Sequence, residues 1–142
     1  MTQNPLGAYR ETRVRTASPG QLVVMLYAEA VKQCDLAVDY LHQDLKKNPK
    51  YIESFNKALT KTQDIITELV ASLDFESGGD IAQSLFALYM FFNRELLDAN
   101  IQKSSAKIRG VRAMLDELRA AWAVAASQAA GREATGGVNI AG

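Results

Sequence analysis

Apolar residues recur along this chain at spacings of three and four. Leu26, Ala30, Cys34, Ala37 and Leu41 form one series, and Phe55, Leu59, Thr62, Ile66, Leu69 and Leu73 a second. A third runs through Ile81, Leu85, Tyr89, Phe92, Leu96 and Ala99, and a fourth through Ile108, Val111, Leu115, Leu118, Trp122 and Ala125. Positions three and four apart share one face of an α-helix, so each series predicts an amphipathic helix. No stretch alternates with the period of two that a half-buried strand requires.

The punctuation between the series supports four helices. Ser18-Pro19-Gly20-Gln21 combines an N-cap serine, a proline in the first turn and a glutamine placed to complete a capping box. Asn48-Pro49 offers a cap and a proline start for the second helix. Ser77-Gly78-Gly79-Asp80 predicts a chain break, with Asp80 suited to the positive end of the third helix, and Ser104 or Ser105 can cap the fourth. Connections of roughly five to eight residues make successive helices antiparallel neighbours. Helices of roughly 22 residues are about 33 Å long, a matched set.

The fold class expected is therefore all-α: an antiparallel up-down four-helix bundle over residues 18–127. An extended N-terminal arm, residues 1–17, precedes it and carries two apolar anchors, Leu6 and Tyr9. A flexible C-terminal tail, residues 128–142, is rich in Gly and Ala and follows it.

Two helices carry more apolar surface than one core-facing stripe. At 100° per residue, Leu22, Met25, Leu36 and Tyr40 of the first fall beside its main stripe. In the third, Phe86, Met90, Asn93, Leu97 and Ile101 form a second row, and residues 81–93 contain no charge. Such flanks are either wide core faces or an external groove that takes an apolar helix from a partner, a mode in which methionine repacks readily. The fourth helix, with Arg109, Arg112, Asp116 and Arg119, keeps a single clean face. Tyr9 is either a residue of a loose tail or an anchor folding the arm back over apolar surface.

Composition narrows the chemistry. Of 142 residues, 48% are hydrophobic and 23% charged, the proportions of one ordinary globular domain. Sixteen basic residues balance sixteen acidic ones, so no global charge favours nucleic acid or an anionic membrane. The first fifteen residues lack the apolar core of a signal peptide. The longest strongly apolar block, residues 86–92, is far short of the roughly 20 residues that span a bilayer. A single cysteine, Cys34, can form neither an internal disulfide nor a zinc site, and reads as a buried thiol of a cytoplasmic protein. The only histidine, His42, stands near a helix end, too few for a di-iron bundle and without catalytic partners. Gly78-Gly79 lacks the residues of a phosphate loop. No enzyme, cofactor or metal is expected.

The order of several short motifs resembles the flagellin-specific export chaperones of the FliS family. They are Ala8-Tyr9, residues 16–22 (TASPGQL) running into Met25-Leu26-Tyr27, and residues 63–69 (QDIITEL) with Ser72-Leu73-Asp74. Residues 78–82 (GGDIA) then lead to Leu88-Tyr89, residues 96–100 (LLDAN) and residues 115–122 (LDELRAAW). The resemblance implies a cytoplasmic, non-enzymatic chaperone that binds the disordered C-terminal segment of flagellin as it becomes helical. It further implies that the chaperone prevents premature polymerisation and delivers its client to a component of the flagellar export gate. The client-binding groove would comprise Leu22, Met25, Leu36, Tyr40, Phe86, Met90, Leu97 and Ile101. Leu6 and Tyr9 of the arm would plug it in the free state. Met90 and Phe91-Phe92 replace a more polar run usual in the family, and Glu95 stands where a basic residue is common, which implies a more apolar groove. The alternative is a self-associating bundle, a homodimer, with no dedicated client.

Overall fold

A computed structural model describes residues 18–141, with side chains as far as Gly131. Four helices follow one another: α1 (Pro19–Leu41), α2 (Lys50–Ala71), α3 (Phe75–Gln102) and α4 (Ser105–Ala141). No strand occurs among the described residues. The all-α four-helix bundle expected from the periodicity is the fold observed. Leu6 and Tyr9 lie outside the described residues. Helical backbone continues through Ala141.

The helix starts follow their caps. Ser18 Oγ accepts the Gln21 N–H at 3.2 Å while Gln21 Oε1 accepts the Ser18 N–H at 3.1 Å, closing the capping box ahead of Pro19. Asn48 Oδ1 accepts the Lys50 N–H at 3.1 Å. Ser104 Oγ accepts the Lys107 N–H at 3.3 Å. α3 begins earlier than the glycine pair suggested. Asp74 Oδ1 accepts the Glu76 and Ser77 N–H groups, both at 3.1 Å, and one short helical turn forms before the break. Gly79 then takes φ +50° and ψ −124°, a conformation open in practice only to glycine, and the main body of α3 starts anew at Asp80.

Two of the connections are tighter than expected. Residues 42–49 join α1 to α2, but only residues 72–74 and 103–104 separate the later helices. The last turn is made possible by Lys103, which adopts φ +54° at the end of α3. Its ammonium holds the Asn100 carbonyl at 2.7 Å and lies 5.1 Å from the centre of the Phe55 ring. That pairing of the end of α3 with the start of α2 shows the two helices running antiparallel. α1 and α4 are likewise antiparallel, since Asp35 meets Arg112 and Gly20 lies under Ala126.

α1 packs along α2 and α4, and α3 packs less extensively against the same two helices. α1 and α3 therefore face each other diagonally. The core lies between all four and is built from Tyr27, Cys34, Phe55, Ile66, Tyr89, Phe92, Leu96 and Leu115 among others. The first and second periodic series are buried along most of their length, and the fourth is buried at Ile108, Val111 and Leu115, beyond which Leu118 and Trp122 are half-buried and Ala125 is exposed. Ile81 departs from the third: it is 71% exposed, because the Gly79 kink and the end of the bundle leave it no helix to pack against.

Candidate functional site

α3 presents the apolar surface of this molecule. Among the described residues, the large apolar side chains left exposed are Phe75, Ile81, Phe86, Leu97, Ile101 and Val124, and all but Val124 belong to α3. Phe75 and Phe86 stand edge to face, their ring centres 6.0 Å apart. Met90 and Asn93, between Phe86 and Leu97 on the same row, are half-buried. Asn93 Oδ1 is buried without a hydrogen-bond partner, the one such side-chain atom among the described residues. The row foreseen as a second stripe is thus a real outer surface.

The flank of α1 is different. Leu22, Met25, Leu36 and Tyr40 are all half-buried, and Leu36 and Tyr40 pack on the edge of the core. Tyr40 leans on Tyr51 of α2 with ring centres 6.3 Å apart, which places this flank along the seam between α1 and α2. On α3, Phe91 and Glu95 line a cleft with Lys107 and Met114 of α4. The row Phe86–Ile101 is turned roughly a third of a revolution away from them, toward α2. The two candidate surfaces therefore flank α2 from opposite sides. They do not close on one another as the two walls of one groove, and a partner touching both must cross α2.

A third feature was not anticipated. A cavity of about 300 Å³ opens where the start of α3 meets α1 and α4, lined by Val23, Leu73, Ile81, Leu85, Tyr89 and Trp122 among others. Its lining residues were legible as members of apolar series. What periodicity does not carry is where a series outruns its neighbours at the end of a bundle.

Tyr89 reaches from this cavity into the core, where its hydroxyl hydrogen-bonds that of Tyr27 on α1. The Trp122 indole of α4 stands beside this pair, and its proximity offsets in part the rise that burial imposes on the Tyr27 phenol. Burial pushes both phenols well above the ordinary tyrosine range, so both stay protonated at neutral pH. Tyr27 was missed as a core residue although it is fully buried; its position one residue after Leu26 widens the core face of α1.

The opposite face is charged. Arg112 donates to Asp35 at 3.0 Å across α4 and α1, and Arg119 donates to Asp116 at 2.7 Å. The Arg109 guanidinium lies 3.2 Å from His42 Nε2, so the lone histidine pairs with α4 at the end of α1. These pairs are largely solvent-exposed and add little stability each. Cys34 is buried, as its place in the series required. Among the described residues no cluster of His, Cys, Asp and Glu is arranged to hold a metal, and no helix is long and apolar enough to cross a membrane.

The exposed apolar side chains described in this all-α bundle are concentrated on one helix, α3. Over residues 2–129 the sequence matches the family described as flagellar protein FliS. It is 33% identical over 137 residues to the flagellar secretion chaperone FliS of Bacillus subtilis, covering 96% of this chain and 97% of that one. To the flagellar secretion chaperone FliS of Salmonella typhimurium it is 35% identical over 113 residues, 79% of each chain. The Escherichia coli chaperone of the same name is 33% identical over the same length. The class is that of flagellar export chaperones, proteins that bind a flagellar client and are not enzymes. Within it, this chain belongs to the FliS family.

Proposed function

We propose that this chaperone works in the cytoplasm, binds the disordered C-terminal segment of flagellin, keeps it from polymerising prematurely and assists its delivery to the flagellar export gate. The observation that carries the reading is the exposed row on α3, with Phe86, Leu97 and Ile101 in solvent and no charge between residues 81 and 93. A disordered client loses conformational entropy as it orders, so it must bury extensive apolar surface to bind. Burial returns about 25 cal/mol per Å², which favours a long helix laid on an uncharged row over a few polar contacts. The separation of the α1 and α3 surfaces by α2 suits a client that wraps the bundle rather than one that fills a single groove.

Isothermal titration of the full chain with a flagellin C-terminal peptide tests this. Saturable binding supports it, and no detectable heat or shift at tens of micromolar overturns it. Leu6 and Tyr9 act in this reading as a plug on the same apolar surface. Deleting residues 1–15 then raises client affinity or speeds association; a fall in affinity would make the arm part of the binding site instead. The exposed Phe75–Phe86 pair also suits a second reading, a homodimer formed through α3. Light scattering separates the two: a stable dimer that does not open on adding peptide favours self-association.

A further inference from the structure

Tyr27 and Tyr89 tie together two helices that otherwise face each other diagonally across the core. Both side chains are almost wholly buried, and the Trp122 indole brings α4 to the same point. Desolvating two hydroxyls offsets most of what the hydrogen bond between them returns, so a pair of phenylalanines would hold the bundle about as well. A hydrogen bond differs from apolar packing in fixing distance and direction. α3 is the helix most in need of that, because it packs on its neighbours less extensively than α1 does. It is also the helix that carries the exposed row, and Tyr89 stands next to Met90 of that row and in the wall of the cavity beside Leu85.

We infer that Tyr27 and Tyr89 are positioning residues for client binding: their hydroxyl pair sets the depth and rotation of α3 over the core and so the presentation of the Phe86–Ile101 row. This rests on the client reading proposed above. It assigns the two tyrosines no contact with the client.

The test compares Tyr27→Phe, Tyr89→Phe and the double variant in the full chain by urea unfolding, amide hydrogen exchange and titration with a flagellin C-terminal peptide. Each single variant orphans one buried hydroxyl and lowers the unfolding midpoint, while the double variant recovers most of the loss. The double variant nonetheless exchanges α3 amides faster than the wild type and binds peptide at least fivefold more weakly. A purely structural pair would move the midpoint and leave affinity alone. Peptide affinity within twofold of the wild type, or unchanged α3 exchange, in the stable double variant overturns the inference. Should the double variant not fold, the same two criteria apply to Tyr89→Phe. If the wild-type chain binds no peptide, the client reading fails by itself, and the exchange rates of α3 still decide whether the pair positions that helix.

Discussion

Leu96 and Leu97 are neighbours in sequence and opposites in environment: the first is fully buried and the second is 55% exposed. One step of 100° along α3 carries the chain from the core to the outer row. Leu97→Glu is therefore expected to keep its helical content by circular dichroism and its stability within about 0.5 kcal/mol. It should weaken client binding about tenfold or more. Leu96→Glu, which puts an unpaired carboxylate in the core, should unfold the chain at neutral pH. Met25→Glu applies the same test to the α1 flank. Wild-type affinity in Leu97→Glu would remove the row from the client surface.

Two glycines should respond in opposite ways to alanine. Gly79 has space around it but holds φ +50°, a conformation alanine adopts only with strain. Gly79→Ala is expected to lower stability by about 1–3 kcal/mol. Gly110 lies inside α4, and nothing stands within 4 Å of where its Cβ would be. Gly110→Ala should gain about 0.5–1 kcal/mol of helix propensity and raise the thermal midpoint by a few degrees. Thermal unfolding of the two variants beside the wild type checks both signs.

Asn93 carries the orphaned buried acceptor in the middle of the exposed row. Leaving a buried oxygen unpaired costs about 1–3 kcal/mol, and a leucine of similar volume removes that cost. Asn93→Leu is expected to raise the urea midpoint without changing the slope of the transition. A lower midpoint would mean that the amide makes a stabilising contact through its nitrogen that outweighs the orphaned oxygen.

The four helices were legible because their apolar spacing is regular over about four to five turns and their caps are local in sequence. Ser18-Gln21 is the clearest case, since both partners of the capping box lie within three residues. Ile81 shows where periodicity stops. Ile81 continues its series in phase, yet the Gly79 kink and the end of the bundle leave it without a neighbour, and no local pattern encodes that. Tyr27, three residues before Ala30 and seven before Cys34, is in phase with the core stripe on its side away from the flank, and it is buried because α1 touches two helices and faces a third. The row Phe86–Ile101 was visible as an excess of apolar positions. Its distance from the α1 flank depended on the order of helices around the core, which spacing along one helix does not contain.

Cys34 contributes to the alkaline limit of the fold. Burial pushes the Cys34 thiol up to about 12 from its ordinary 9.0, with the Thr62 hydroxyl opposing the rise only in part. Between those values the unfolded chain has released the thiol proton and the native chain retains it. The unfolded state then binds fewer protons, so stability falls as pH rises; below about 9 this group has no effect on it. From pH 8 to pH 10 the loss from Cys34 amounts to about 1.4 kcal/mol. The tyrosine pair adds its own loss only as pH passes the ordinary phenol value of 10.0. Urea unfolding of the wild type and of Cys34→Ala at pH 8, 9 and 10 isolates the thiol. The variant starts from whatever stability it has at pH 8 and should decline less by the stated amount. Parallel declines in the two proteins would show that the thiol ionises in the folded chain near its ordinary value, and that the centre of α1 admits water.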